Sequence, residues 1–221
     1  MISRLTFEIF PASLVELKTK HLPPKARVAI ACPHNIDGIY QTLDLTQKLS
    51  SNNFQLIPHL SARTIKNKKH LKQILKHKAL QKAQEIFVIG GDPQQVGPYT
   101  SSLELLAEIF FLNQSFTEIG IAGYPEGHPK ISDQALWQAL KDKQDLAKKL
   151  GIKMYIVSQI CFSETAIINW IKKLRQNGIT LPVEIGIVGP VKQGVFGISI
   201  PKNYQPNTLI DKLTQADLEK L

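Results

Sequence analysis

Two carboxylates, Glu8 and Asp92, stand where apolar, strand-forming residues give way to polar ones. Glu8 is either hydrated at the edge of a sheet or partly desolvated, and partial desolvation would raise its pKa and suit it to general acid catalysis. Asp92 follows Gly90 and Gly91, so it either forms an Asx turn or helix cap, or aims its charge at a bound ring. These two residues are the candidate catalytic groups.

Gln159 and two histidines, His59 and His128, are candidates for ligand recognition. The Gln159 amide can both donate and accept hydrogen bonds, which suits the edge of a heterocycle, although a glutamine satisfied within its own loop would look the same. Each histidine neighbours a proline and could be structural, a metal ligand or a phosphate contact. Neither H-x-H nor H-x-x-x-H spacing occurs in the sequence, so we predict no metal site.

The elements that must position these side chains are short apolar runs separated by amphipathic stretches. We predict seven strands, at residues 6–10, 27–32, 54–60, 86–89, 119–122, 154–157 and 183–188. Between them, apolar residues recur at helical spacing, as in a lysine-rich helix with Leu71, Ile74, Leu75 and Ala79 on one face. A long helix is predicted over residues 133–150.

This regular alternation without hairpin turns predicts a parallel α/β sheet covered by helices. An open doubly wound sheet and a (β/α)8 barrel both fit. Polar groups after nearly every strand favour the barrel, because a barrel brings all its strand ends to one mouth, whereas an open sheet binds ligands at one switch point. The G-x-G-x-x-G and P-loop fingerprints of open sheets are absent. We therefore predict one domain over residues 1–221 with a (β/α)8 TIM-type fold.

The pattern degrades near the C-terminus. Turn-forming residues interrupt the sequence at Gly189-Pro190, Gly194, Gly197, Pro201 and Pro206. We therefore expect a barrel that is incomplete or abnormal at its eighth strand. Such a barrel exposes two strand edges, and we expect the gap to be covered by residues 190–206, by the last helix, or by a second chain in a homo-oligomer.

Composition bounds the class of protein. A hydrophobic content of 43% with 20% charged residues is ordinary for a soluble globular domain. No run of 18 apolar residues and no signal peptide are found, so we expect a cytoplasmic protein without a membrane span. Cys32 and Cys161 lie in apolar, strand-like segments and are predicted to be buried thiols.

The net charge of +9, from 27 basic and 18 acidic residues, comes largely from lysines between residues 66 and 82. An excess of this kind fits either a polyanionic partner or a hydrated helix face. These lysines fall mostly between the apolar positions of a helix, and no aromatic residues are interleaved with them. We therefore expect a hydrated face and no nucleic-acid partner.

Seven short motifs, in order along residues 6–190, resemble those of the methylenetetrahydrofolate reductases. They are F-E-I-F-P from Phe7, P-H-L from Pro58, G-G-D from Gly90, Y-T-S-S-L from Tyr99, Y-P-E-G-H-P from Tyr124, L-K-D-K from Leu140 and S-Q from Ser158. Each motif alone is weakly specific, and their shared order is what makes the resemblance specific.

The resemblance implies a barrel that binds FAD and folate, takes hydride from NADH or NADPH, and reduces 5,10-methylenetetrahydrofolate to 5-methyltetrahydrofolate or performs a related one-carbon step. It implies Glu8 as the general acid, Asp92 as a residue that tunes flavin and pterin, and Gln159 and Gln193 as substrate contacts. The FAD contacts that it implies are His59, Gly90, Gly91, Asp92, Tyr99, Tyr124, His128 and Lys143.

The sequence also departs from the family pattern. Gly90 replaces an arginine, Leu136 replaces a helix aspartate, and the chain stops roughly where the family begins its last helix and strand, which carry a folate-binding arginine. A second hypothesis is therefore a degenerate or repurposed member that binds folate or flavin or serves as a partner subunit. A third is a metal-dependent hydrolase that uses Glu8, His59, Asp92 and His128.

Overall fold

The computed structural model describes residues 5–11, 22–33, 35, 37–91, 95–112, 116–188 and 205–215. Its strands are β1 Thr6–Ile9, β2 Arg27–Ile30, β3 Gln55–Ser61, β4 Glu85–Ile89, β5 Glu118–Gly123, β6 Lys153–Ser158 and β7 Val183–Glu184. Its helices are α1 Gly38–Leu49, α2 Lys68–Leu75, α3 Lys78–Lys82, α4 Ser102–Phe111, α5 Asp133–Leu150, α6 Glu164–Gln176 and α7 Pro206–Gln215, with a 3-10 turn at Ala62–Thr64. The predicted strand and helix alternation is confirmed.

The strand order in the sheet is the order of the chain, β1-β2-β3-β4-β5-β6-β7. All registers described, from Thr6↔Arg27 in β1 and β2 to Val157↔Glu184 in β6 and β7, are parallel. A doubly wound sheet reverses its order at a switch point, and this one does not. The predicted parallel α/β fold is thus confirmed, and the sequential order is the one found in (β/α)8 barrels.

The chain divides into two compact units. The first unit contains residues 3–121 and 146–154, and the second contains residues 122–145 and 155–221. The prediction of one domain over residues 1–221 stays a prediction. No helix among the described residues is long and apolar enough to cross a membrane.

In the first unit, the apolar core begins between β1, β2 and α1. Ile9, Val28, Ile30 and Leu45 are at most 7% exposed and pack together. Every residue of β2 is buried, which is expected of a strand covered on both faces. This packing fixes β1, and with it the position of Glu8.

A buried ion pair joins the first residues of β2 and β4. The Arg27 guanidinium lies 2.5 Å from the Glu85 carboxylate, and the two side chains are 9% and 11% exposed. Arg27 also donates a hydrogen bond to the hydroxyl of Thr6 in β1. One guanidinium thus ties the starts of three strands together. The sequence pattern gave no sign of this pair, since its members are 58 residues apart.

The lysine-rich segment forms two helices rather than the single helix predicted. The backbone is extended at His77, where ψ is 136°. The His77 imidazole Nδ1 accepts a hydrogen bond from the Ala79 amide and so caps the N-terminus of α3. Leu71, Ile74 and Leu75 in α2 and Ala79 in α3 are buried as predicted. The lysines are exposed.

In the second unit, β7 is two residues long and not the six predicted. The strand ends early because Gly186 lies close to the end of β6. The Gly186 amide donates a hydrogen bond to the Ser158 hydroxyl at 2.9 Å. A Cβ at position 186 would lie 2.5 Å from the Ser158 carbonyl oxygen. The turn before β7 is held by the buried amide of Gln144, which donates to Gly178 and accepts from Thr180.

The predicted abnormal closure falls mostly on residues 189–204, which lie outside the described part of the chain. The last helix begins at Pro206. Both thiols, Cys32 and Cys161, are buried and unpaired with each other, as predicted. Burial raises the pKa of each to about 11, so both stay protonated at neutral pH.

Candidate active site

Glu8 lies in β1 opposite Ala29 of β2, with Ile9 buried beside it. Its side chain is exposed to solvent, yet loss of hydration raises its pKa above the ordinary value of 4.5. Solvent can reach the carboxyl. A carboxyl of raised pKa that solvent and ligand can reach is a group able to hold and deliver a proton.

His59 lies within β3, opposite Phe87 of β4. The two ring centroids are 4.5 Å apart at an angle of 37°, and the His59 side chain is buried. Burial lowers its pKa to about 3, so the imidazole is neutral at physiological pH. It can therefore offer a flat surface or a neutral hydrogen bond, but not a positive charge. The predicted FAD contact at His59 stays a prediction.

The loop after β4 begins at Gly90 and Gly91. Gly91 has a φ of 87°, a conformation that favours glycine. Among the described residues other than its two chain neighbours, none has an atom within 4 Å of the place where a Cβ of Gly90 would be, so open space adjoins the strand end there. Tyr99, at the far end of this loop, is buried, and desolvation followed by the charge of Glu108 raises its pKa. Asp92, the second candidate catalytic residue, lies outside the described residues.

Arg63 holds both ends of this loop and is a residue that the sequence analysis missed. Its backbone amide donates a hydrogen bond to the Gly90 carbonyl at 3.0 Å, and its backbone carbonyl accepts one from the Val96 amide at 3.0 Å. Its guanidinium donates to the Gly91 carbonyl at 3.2 Å and to the Thr100 carbonyl at 3.3 Å. No motif marks position 63, because its contacts depend on the pairing of β3 with β4.

In the second unit, the chain after β5 brings Tyr124 and His128 together. Their ring centroids are 5.1 Å apart, and the planes meet edge to face at 81°. His128 Nδ1 accepts a hydrogen bond from the Lys130 amide at 3.1 Å, so in the neutral ring the proton lies on Nε2 and can be donated to a ligand. β5 ends at Gly123, where a Cβ would lie 2.6 Å from the Trp170 and Ile156 side chains, so close packing requires glycine there.

Lys143 is a buried lysine in α5, 7% exposed. Desolvation lowers its pKa to about 8, although the charge of the adjacent Asp142 opposes the shift. Among the described residues its ammonium group has no hydrogen bond or ion pair. Burying an unpaired charge is costly, and such a group is a natural site for an anionic ligand.

Gln159 follows β6 and is exposed. Its backbone amide donates to the Gly123 carbonyl at 2.6 Å, which ties the ends of β5 and β6 together. Its side-chain oxygen accepts from the Ile160 amide at 2.9 Å. That bond fixes the orientation of the amide and uses one lone pair of its oxygen, and the side-chain NH2 group is available to donate to a ligand. The sequence allowed Gln159 to donate and accept, and the structure favours donation.

The predicted site residues are thus placed in two groups. Glu8, His59, Gly90, Gly91 and Tyr99 lie in the first unit, and Tyr124, His128, Lys143 and Gln159 lie in the second. In the second group the structure brings Tyr124 and His128 into contact. Gln193 lies outside the described residues. Within the part of the chain that the structure describes, no group of three His, Cys, Asp or Glu side chains is placed to hold a metal ion.

The parallel fold with sequential strand order, together with polar groups after its strands, places the chain in the class of singly wound α/β proteins. The sequence profile of the methylenetetrahydrofolate reductase family matches residues 29–219, and the chain belongs to this family. One curated relative, methylenetetrahydrofolate reductase 2 of Saccharomyces cerevisiae (strain ATCC 204508 / S288c), is 26% identical over 139 residues. The matched stretch is 55% of this chain and 22% of the yeast protein.

Proposed function

We propose that this chain is an oxidoreductase of one-carbon metabolism that reduces 5,10-methylenetetrahydrofolate to 5-methyltetrahydrofolate, or performs a closely related folate step, with NADH or NADPH as reductant and FAD as cofactor. Family membership supports the reaction class. The observation that carries the proposal is Glu8, an accessible carboxyl whose pKa is raised by desolvation.

Glu8 supplies the proton in this proposal. Reduction of the methylene group requires a proton at the folate nitrogen as well as a hydride at carbon. A carboxyl with an ordinary pKa is almost fully ionised at neutral pH, whereas a raised pKa keeps more of it protonated. Glu8 therefore acts as the general acid, and Asp92 acts through its charge on the bound rings.

The described residues fit an anionic cofactor such as FAD. Lys143 is a buried ammonium group with no partner in the part of the chain that the structure describes, and a diphosphate would supply negative charge beside it. The resemblance to the family adds Tyr124 and His128 of the same unit as proposed FAD contacts, and separately Tyr99, His59, Gly90 and Gly91 of the first unit. When bound, the flavin supplies the hydride chemistry, and the protein supplies orientation and the proton.

Gln159 orients the substrate in this proposal. Its exposed NH2 group donates to a ring nitrogen or carbonyl oxygen, because its own oxygen is occupied by the Ile160 amide. The folate and the nicotinamide each carry such acceptors, so the same donor serves both in turn. Gln193 is a further proposed substrate contact.

A second candidate is a member that binds folate or flavin without catalysing reduction, or serves as a partner subunit. Two departures favour it. Gly90 provides no cation beside the flavin, and Leu136 provides no hydrogen bond to its ribose. The visible absorption spectrum of the purified protein tests whether the chain binds FAD. A protein that stays colourless after addition of FAD does not use this cofactor.

The proposal is tested by Glu8→Gln in rapid-mixing measurements of the two half-reactions. The variant keeps the size of the side chain but lacks the proton. We expect reduction of the flavin by the nicotinamide to be nearly unchanged and the folate half-reaction to slow by about 10²–10⁴-fold. In the wild type the folate half-reaction should slow as the pH rises through the raised pKa of Glu8.

The matched control is Asp145→Asn, which removes an exposed carboxylate from α5 and should leave both half-reactions unchanged. If Glu8→Gln slows both half-reactions equally, or neither, Glu8 is not the proton donor. A wild-type chain that reduces no methylenetetrahydrofolate with either nicotinamide, with FAD present, would contradict the proposed enzyme and favour the second candidate.

A further inference from the structure

We propose that Arg63 binds the ligand at the end of β4, where it supplies the positive charge that Gly90 does not. The ligand group that it would take is a ring carbonyl oxygen, which both a flavin and a pterin carry at the edge of the heterocycle. This inference rests on the proposed function for the identity of the ligand. Its geometry rests on the hydrogen bonds of Arg63 with Gly90, Gly91, Val96 and Thr100.

The guanidinium of Arg63 is anchored but not saturated. Arginine has five N–H donors in a fixed plane. Two of them are used, Nη1 toward the Gly91 carbonyl and Nε toward the Thr100 carbonyl. Nη2 has no hydrogen bond among the described residues, and Arg63 has no ion-pair partner among them. The group is therefore held in one orientation with donors to spare.

The surroundings of Arg63 leave room for a ligand. Arg63 is half-buried, and the adjoining position 90 faces open space, with no atom within 4 Å of a Cβ built there. A half-buried guanidinium makes stronger hydrogen bonds than a fully hydrated one, because water competes less for its donors. Arg63 lies in the turn after β3, and its Nη1 donates to the Gly91 carbonyl, one residue from position 90.

The backbone contacts of Arg63 and the contacts of its side chain can be tested separately. The backbone bonds from Arg63 to Gly90 and Val96 do not depend on its side chain. Substitution by alanine therefore removes the guanidinium and keeps the backbone contacts between the turn and the loop. Protection of the Val96 amide against hydrogen exchange reports whether the loop keeps its place.

The experiment measures dissociation constants for two probes, FAD and 5-methyltetrahydrofolate, by calorimetry. The variants are Arg63→Ala, Arg63→Lys, and Arg63→Ala combined with Gly90→Arg, and the control is Lys69→Ala, which removes an exposed charge from α2. We expect Arg63→Ala to weaken binding of at least one probe by about 10- to 100-fold, the usual worth of a charged hydrogen bond. The probe that weakens identifies which ring Arg63 contacts.

The double variant, Arg63→Ala combined with Gly90→Arg, decides between a binding role and a structural role for Arg63. Gly90→Arg in the Arg63→Ala background should restore most of the lost affinity, because open space at position 90 admits a guanidinium from the other strand. Arg63→Lys should fall between wild type and Arg63→Ala, since it keeps the charge but loses the planar donors. Lys69→Ala should bind both probes as the wild type does.

Several results would overturn the inference. Unchanged affinity for both probes in Arg63→Ala would show that the guanidinium serves only the loop. Weakened binding that Gly90→Arg does not restore, together with loss of Val96 amide protection, would show a purely structural role. A wild-type chain that binds neither probe would overturn the proposed function as well, whereas binding by the wild type with no effect of Arg63→Ala overturns this inference alone.

Discussion

Lys143 is a single side chain whose burial lowers the stability of the fold. Its ammonium group is buried in α5 with no hydrogen-bond or ion-pair partner among the described residues, and its pKa falls from 10.5 to about 8. That difference corresponds to about 3 kcal/mol between the charged and neutral forms. At neutral pH the lysine is still charged, so the folded chain carries this cost until an anion binds.

We expect Lys143→Met to stabilise the unliganded protein at pH 7, by about 1–3 kcal/mol, and to weaken FAD binding. Between about pH 8 and pH 10.5 the unfolded chain holds the Lys143 proton and the folded chain does not. Wild-type stability attributable to this group therefore rises with pH in that window, and the advantage of Lys143→Met shrinks. Urea titrations at pH 7 and at pH 10 measure both effects.

The control for Lys143→Met is Lys141→Met, two residues earlier on the same helix and exposed. It removes the same charge without removing a buried one, so its stability should change little at either pH. A Lys143→Met variant that is less stable than wild type at pH 7 would mean that the ammonium group has a partner in solution, and the proposed anion site would lose its support.

At the scale of elements, close backbone packing shapes the later part of the loop after β4, residues 95–100. Gly97 lies against the chain after the 3-10 turn, and a Cβ there would overlap the Ile65 carbonyl oxygen and lie 2.5 Å from that of Lys66. The atoms that it would meet are backbone atoms, which cannot rotate away. Gly97 therefore determines how near the loop can come to the turn that carries Arg63.

We expect Gly97→Ala to destabilise the protein by about 1–3 kcal/mol, the usual cost of overpacking. Gly90→Ala is the matched control, because its added methyl group meets open space, and its free energy of unfolding should stay close to that of wild type. Urea unfolding of the two variants gives the comparison. Equal stability of Gly97→Ala and Gly90→Ala would show that the loop does not pack against residues 65 and 66.

The elements were largely predictable because local signals define them. Runs of β-branched and aromatic residues gave the strands, and α5 matched its predicted bounds. The break at His77 was missed since residues 66–82 contain no glycine or proline to mark it. The short β7 depends on contact between Gly186 and Ser158, and the role of Arg63 depends on β3 lying beside β4. Contacts of this kind arise only when distant segments meet.

At the scale of the whole molecule, the expected covering of the open strand edges stays a prediction, because residues 189–204 lie outside the described part of the chain. We expect light scattering to give either a homo-oligomer, or a monomer whose residues 190–206 protect their amides from hydrogen exchange. Unpaired strand edges are a hazard that proteins cover. A monomer in which this segment exchanges freely would contradict the expectation.

The ion pair between Arg27 and Glu85 has a consequence for the history of the chain. Loss of one partner of a buried pair typically costs about 3–5 kcal/mol, whereas replacement of both by apolar residues is often neutral or favourable. The free energy of unfolding of an ordinary domain is only about 5–15 kcal/mol. Any lineage that exchanges this pair one mutation at a time must therefore pass through a weakened ancestor, so descent tends to preserve the pair even where an apolar alternative would serve as well.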